Sequence, residues 1–280
     1  MYYVDIRLDE AVKTAWPDAI IVNETYEPYK GSHREIGPGK ITPLQDVLVR
    51  LGLRQEDVRN LVLVAFSEGN QGIRAQLLSG AEPSAVVSID GIHNSPKEGY
   101  KRGETLNYHV VPYRQFASQA ALEERVMIIT HSQIQPPDFA AVKDIVAEIL
   151  YPDGEIPVAA GEGADRQVTG FVDNNLVVEG YSGGADTDHQ YQAKVVLPAK
   201  LAQARALLAG QHIGFDLGTG RNHPYTTDDI KPWVSSLKSN PSAEDMPEEQ
   251  PSDQSVGGSF WWWVAGLGLI GSAVFLYKKK

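Results

Sequence analysis

Three residues that could together carry out acyl transfer stand at separate points of this chain. Ser67 closes the run Leu61-Val62-Leu63-Val64-Ala65-Phe66-Ser67-Glu68-Gly69, Asp90 follows Ile89, and His189 ends Asp186-Thr187-Asp188-His189. A serine hydroxyl is a weak nucleophile until a positioned base removes its proton. Neutral imidazole suits that task because its pKa lies near working pH. A carboxylate must then hold the other ring nitrogen, and backbone N–H groups must await the oxyanion. The expected assignment is Ser67 as nucleophile, His189 as base and Asp90 as orienting acid. The N–H of Glu68 is expected to be one oxyanion donor, and an N–H near Glu24 or Thr25 the other. His93 and His131 are expected to be site walls or substrate contacts.

These residues need elements that bring them to one place. Ser67 ends a short apolar β-type run and Asn70 to Leu78 reads as a helix, so the serine sits on an abrupt strand-to-helix turn. Ala65 and Gly69 stand two residues either side of it, where a tight turn leaves no room for large side chains. Further apolar runs at Ala19–Asn23, Ala85–Ile89, Val126–Thr130 and Leu176–Gly180 predict four more strands. Helices are predicted over Pro43–Leu53, from about Asp138 to Leu150, and around Ala193–Ala209. Continuous rather than alternating apolar runs suit strands covered on both faces. The expected class is therefore α/β, with a mostly parallel, doubly wound sheet. Ligands of such sheets bind beyond the carboxyl ends of the strands. Those ends carry Ser67, Asp90 with His93, His131 with Ser132, and the approach to His189. His33 lies in the Gly/Pro-rich loop after the first run.

Each candidate has a plainer alternative. Serine is a favoured N-cap, so Ser67 could only cap the following helix. Asp90 could bond loop amides. Asp186 or Asp188 could cap a helix that carries His189 in its first turn. Asp138 is the reserve acid. Glu68 could merely solvate the site, and His212 and His223 lie in a loop-like segment. Tyr100, Tyr108, Tyr113 and Phe116 could form an aromatic lid or a satellite core, and Trp233 is expected to pack the end of the body. A metal-dependent alternative would use Asp90, His93, His131, Asp188 and His189, which are ligand types for zinc or manganese. No H-x-x-x-H spacing supports it, and no metal or cofactor is expected.

The order Ser67, Asp90, His189, with the Ala65-Phe66-Ser67-Glu68-Gly69 turn, resembles the α/β-hydrolase superfamily. Ala65 to His93, Thr130-His131-Ser132 and Asp188-His189 also resemble uncharacterised hydrolase-like proteins of bacteria and their phages. The resemblance covers roughly residues 18–210, and only the serine turn is a specific motif. It implies a serine hydrolase acting on a small-molecule, lipid or peptide ester or amide. The superfamily usually carries its acid one strand later than Asp90; here that strand ends in His131-Ser132. The short complement of elements upstream of Ser67 implies a sheet truncated at its first edge.

The chain has 280 residues, 42% of them hydrophobic, enough for one good-sized core plus appendages. Its net charge of −11 argues against a nucleic-acid partner. Without cysteine there is no disulfide or thiol chemistry. The start, Met1-Tyr2-Tyr3-Val4-Asp5, is not a signal peptide. Ser239 to Gly258 is rich in Pro, Ser and acidic residues, the composition of a disordered tether. Phe260 to Tyr277 is uncharged and is followed by Lys278, Lys279 and Lys280. As a helix it would cover roughly 27 Å, close to the bilayer core. The expected organisation is a body over 1–236, a tether over 237–258 and a transmembrane anchor over 259–280, with the lipid bilayer as partner through 260–277. The side of the membrane stays open. Gly266-Leu267-Gly268-Leu269-Ile270-Gly271 follows no strand and is no dinucleotide motif. The competing class is a non-catalytic, membrane-anchored binding or virion-structural protein on the same scaffold.

Overall fold

The computed structural model describes residues 8–25, 42–92, 107–134, 141–150, 167–211 and 271–278. In chain order these form α1 (Leu8–Ala15), β1 (Ile20–Thr25), α2 (Leu44–Arg50), β2 (Val58–Phe66), α3 (Asn70–Leu78), β3 (Ala85–Ile89) and α4 (Asn107–Ala121). There follow β4 (Val126–His131), α5 (Val142–Leu150), β5 (Gln167–Asp173), β6 (Leu176–Tyr181), α6 (Asp186–Tyr191), α7 (Leu197–Leu208) and β7 (Gly271–Lys278).

The strands make one seven-stranded sheet in the order β1-β7-β2-β3-β4-β6-β5. β2, β3, β4 and β6 pair parallel to one another. β7 is antiparallel to both β1 and β2, so β1 runs in the same direction as the parallel set. β5 forms an antiparallel hairpin with β6. The class is therefore α/β with a mostly parallel sheet, and all five strands expected from the apolar runs are present.

Alternation along β2 explains why the sheet is covered twice. Leu61, Leu63 and Ala65 face a core shared with Leu48, Ile73, Tyr113, Phe116 and Ile145 of α2 to α5. Val62, Val64 and Phe66 face a second core with Val12 and Trp16 beside α1 and Leu197, Leu201 and Ala204 of α7. Burying a Val, Leu, Ile or Phe side chain contributes roughly 1.5–3 kcal/mol, so a one-residue slip of this strand would exchange its two faces and forfeit several such terms.

Helices α6 and α7 are joined by one π-helical stretch, Gln192–Val196. Pro198, in the first turn of α7, has no N–H to donate into an α-helical ladder. A wider turn just ahead of it lets the run continue to Leu208. The sequence places a helix at Ala193–Ala209, and the structure begins the helical run earlier, at Asp186.

One expectation is corrected, and two strands were not foreseen. Tyr113 and Phe116 form no separate aromatic cluster: they lie on α4 and belong to the main core. β5 carried no recognisable apolar run. Of the 260–277 segment expected as a transmembrane helix, only residues 271–277 are described, and together with Lys278 they pair as a strand between β1 and β2. Ala273-Val274-Phe275-Leu276-Tyr277 is an apolar, β-branched and aromatic run, and such a run fits a doubly covered strand as well as it fits a membrane helix. No helix among the described residues is long and apolar enough to cross a membrane. Residues 260–270, the tether, Asp138, His33, His93, Tyr100, His212, His223 and Trp233 lie outside the described residues.

Candidate active site

Strand register sets the site before any side chain is considered. Phe66 is level with Ile89, and Ile89 with Thr130. The next residues, Ser67, Asp90 and His131, therefore emerge side by side at the carboxyl edge. His131 is in turn level with Gly180 of β6, from which the chain runs through a short loop into α6 and His189.

Ser67 has φ +55 and Asp90 φ +42, a left-handed region that costs an L-residue roughly 1–2 kcal/mol. Such backbone persists only where its surroundings over-determine it. The Ser67 carbonyl oxygen accepts a bond from Asn70 Nδ2 at 3.0 Å. Asp90 N–H donates to Thr130 O at 3.0 Å. Gly91 packs directly on the serine turn: a Cβ there would collide with the Ser67 carbonyl oxygen and with Asn70 Nδ2.

The side chains form one line. Ser67 Oγ lies 2.8 Å from His189 Nε2, and His189 Nδ1 lies 2.8 Å from Asp90 Oδ2. The tautomer that satisfies both has Nδ1–H donating to the carboxylate and Nε2 accepting from the hydroxyl. Asp90 Oδ1 accepts the backbone N–H of Ser132 at 2.7 Å. The end of β4 carries no carboxylate; Ser132 there supplies a donor that grips Asp90. Ser132 Oγ accepts the Ile134 N–H at 3.2 Å, which holds the loop that presents this donor. Against the His189 imidazole lies the Phe66 ring, with centroids 4.4 Å apart.

The electrostatics follow from burial and these bonds. Burial alone would raise the Asp90 carboxyl. The bond to His189, the charge of that imidazole when protonated and the bond from Ser132 outweigh it, and the group is held below the usual carboxylate range. Burial pushes the His131 imidazole below its ordinary value; its Nδ1 lies 3.4 Å from Ser132 O.

The helix that bears His189 is anchored from both sides. Asp188 accepts the Ala185 N–H at 3.0 Å, so its carboxylate caps the first turn of α6 from within. Gly183, at φ +91, leaves room for that carboxylate, which a Cβ would strike. Gln133 N–H donates to Gly183 O at 3.0 Å, tying this loop to the end of β4. Ser67, by contrast, is not the cap of α3: that position falls to Gly69.

The structure thus brings together Ser67, His189, Asp90 and His131, with Glu68 in the turn behind the serine. Glu24 and Thr25 are at the end of β1, as expected, but β7 separates that strand from β2. Two strand spacings, about 9–10 Å, then lie between them and the serine strand, too far for an N–H within β1 to serve an oxyanion at Ser67. The Ser132 donor could not be read from residue types, because it is a backbone group. Among the described residues no group of three or more His, Asp or Glu could hold a metal ion. No family model, curated protein or solved structure matches this chain.

Proposed function

We propose that this protein is a serine hydrolase of α/β-hydrolase type that transfers acyl groups from esters or amides to water, with Ser67, His189 and Asp90 as its triad. One observation carries the reading: the unbroken line from Ser67 Oγ through both nitrogens of His189 to Asp90, at 2.8 Å for each bond. A missing bond between His189 and Ser67 would have favoured the competing non-catalytic reading; the bond at 2.8 Å supports the catalytic one.

In the first half-reaction Ser67 Oγ attacks the substrate carbonyl carbon while its proton passes to His189 Nε2. The ionised Asp90 stabilises the imidazolium that forms. The oxyanion meets the Glu68 N–H, the first backbone donor after the nucleophile. His189 then returns the proton to the leaving alcohol or amine, and the C–O or C–N bond breaks. In the second half-reaction a water gives its proton to His189 and attacks the acyl-enzyme. The acid is released and Ser67 regains its proton.

The test is labelling by a fluorophosphonate probe. The wild-type chain is expected to take up one probe per molecule, and Ser67→Ala none. Absence of labelling in folded wild-type protein would sink the assignment.

A further inference from the structure

A buried amide stands directly behind the serine turn and has no part in the proton path. Asn70 is 1% exposed and Ser88, one strand away on β3, is fully buried. Asn70 Nδ2 donates to the Ser67 carbonyl oxygen at 3.0 Å, and Asn70 Oδ1 accepts from Ser88 Oγ–H at 2.6 Å. Tyr113 Oη donates to the Asn70 carbonyl oxygen at 2.5 Å, holding the start of α3 from the α4 side.

This is the reverse of a helix cap. A capping side chain accepts from free N–H groups with its oxygen. Asn70 donates backwards, to a carbonyl three residues earlier, and α3 has no side-chain cap bond at its N-terminus. The consequence lies in the peptide unit between Ser67 and Glu68. That unit is planar and trans, so its C=O and N–H point in opposite directions. Holding the Ser67 carbonyl inward, against Gly91 and Asn70 Nδ2, turns the Glu68 N–H outward.

We propose that Asn70, oriented by Ser88, is a positioning residue that aims the Glu68 N–H at the oxyanion. The inference rests on the serine-hydrolase reading. The Ser67 carbonyl oxygen can only accept, which sets Nδ2 toward it, and the Ser88 hydroxyl, donating to Oδ1, holds the amide in that orientation. An aspartate at position 70 keeps the shape and the Ser88 bond but turns a lone pair toward the Ser67 oxygen, which pushes the peptide plane away.

The test compares wild type, Asn70→Asp, Ser88→Ala and Ser67→Ala on a p-nitrophenyl ester, with active sites counted by fluorophosphonate titration. Asn70→Asp is expected to lower kcat per titrated site about 10- to 100-fold with KM unchanged. Loss of a whole oxyanion donor costs about 10²–10³ and this variant misaims one rather than removing it. Affinity for a trifluoromethyl ketone, which mimics the tetrahedral adduct, should fall by the same factor as kcat. Ser88→Ala, milder because it only frees the amide to rotate, should show the same pattern at about 3- to 10-fold, and it stands in if Asn70→Asp does not fold. A residue that only braces the fold would change the number of titratable sites and leave kcat per site alone; that result overturns the proposal, as does an effect confined to KM. If wild type is neither labelled nor more active than Ser67→Ala, the hydrolase reading itself has failed, and the role of Asn70 falls with it.

Discussion

Replacing Asp90 by asparagine separates the role of the acid from its shape. Asp90 has two oxygens, and the donors facing it include Ser132 N–H at 2.7 Å and His189 Nδ1 at 2.8 Å, with the Ser132 hydroxyl beside them. Asparagine has one oxygen. The Ser132 N–H belongs to the backbone and can only donate, so the amide oxygen must turn to it. The NH₂ group then faces His189 Nδ1, which can meet it only as an acceptor. The ring proton moves to Nε2 and points at Ser67 Oγ, and the base has no lone pair for the hydroxyl. Asparagine tolerates the left-handed backbone of position 90 as well as aspartate does, so the variant should fold. Loss of the productive tautomer is expected to lower kcat about 10⁴-fold, roughly 5.5 kcal/mol of barrier at 1.36 kcal/mol per decade. The assay is p-nitrophenyl ester hydrolysis per folded molecule, with circular dichroism to confirm the fold. A folded Asp90→Asn variant that keeps more than a tenth of wild-type kcat would refute this account of the acid.

Gly91→Ala should destabilise the fold by about 1–3 kcal/mol, the usual cost of overpacking, and should cut turnover as well, because its Cβ strikes the Ser67 carbonyl oxygen; thermal melts and ester hydrolysis read the two effects. Stability should fall in acid in two stages. His131 is held below its unfolded value of 6.5, so the unfolded chain binds more protons just below that pH and urea midpoints should start to drop there; His131→Gln should flatten this stage. Asp90 is held below its unfolded value of 3.8, so the stability it contributes is complete above that value and is lost as pH falls from it toward the folded value. Away from the site, Glu179 on β6 is buried in an ion pair with Lys200 of α7 and also accepts Tyr181 Oη–H at 2.6 Å. Lys200→Met should lower the free energy of unfolding in urea by about 3–5 kcal/mol, and adding Glu179→Gln should restore much of the loss.

The parts of the fold that were legible in the sequence are those where one physical demand dominates. Val62 to Phe66, Ala85 to Ile89 and Val126 to Thr130 are dominated by apolar residues, with only Ser88 and Thr130 polar, because each strand is covered on both faces, and they lie where the runs place them. Ser67 was legible because an apolar strand that turns at once into a helix leaves few choices of residue. Asp90 was legible as a candidate but not as a gripped one, since its second anchor is the Ser132 N–H, which any residue except proline would supply. Helix α4 was hidden by Pro112 and by a low contrast between its faces. The distance between β1 and the serine turn was hidden because β7 comes from a distant segment whose composition suits two environments.

The position of β7 bears on the order in which the molecule can assemble. Most contacts of the parallel set join strands that are near neighbours in sequence. β7 instead enters between β1 and β2 from about 200 residues beyond the end of β2. During synthesis the outer edge of the serine strand, from Val58 to Ala65, has no β7 to pair with until that late segment has been made. An unpaired, apolar strand edge is a template for the wrong partner. Between the completion of α7 and the arrival of β7, that edge of the strand carrying Ser67 is therefore open to strand exchange with another copy.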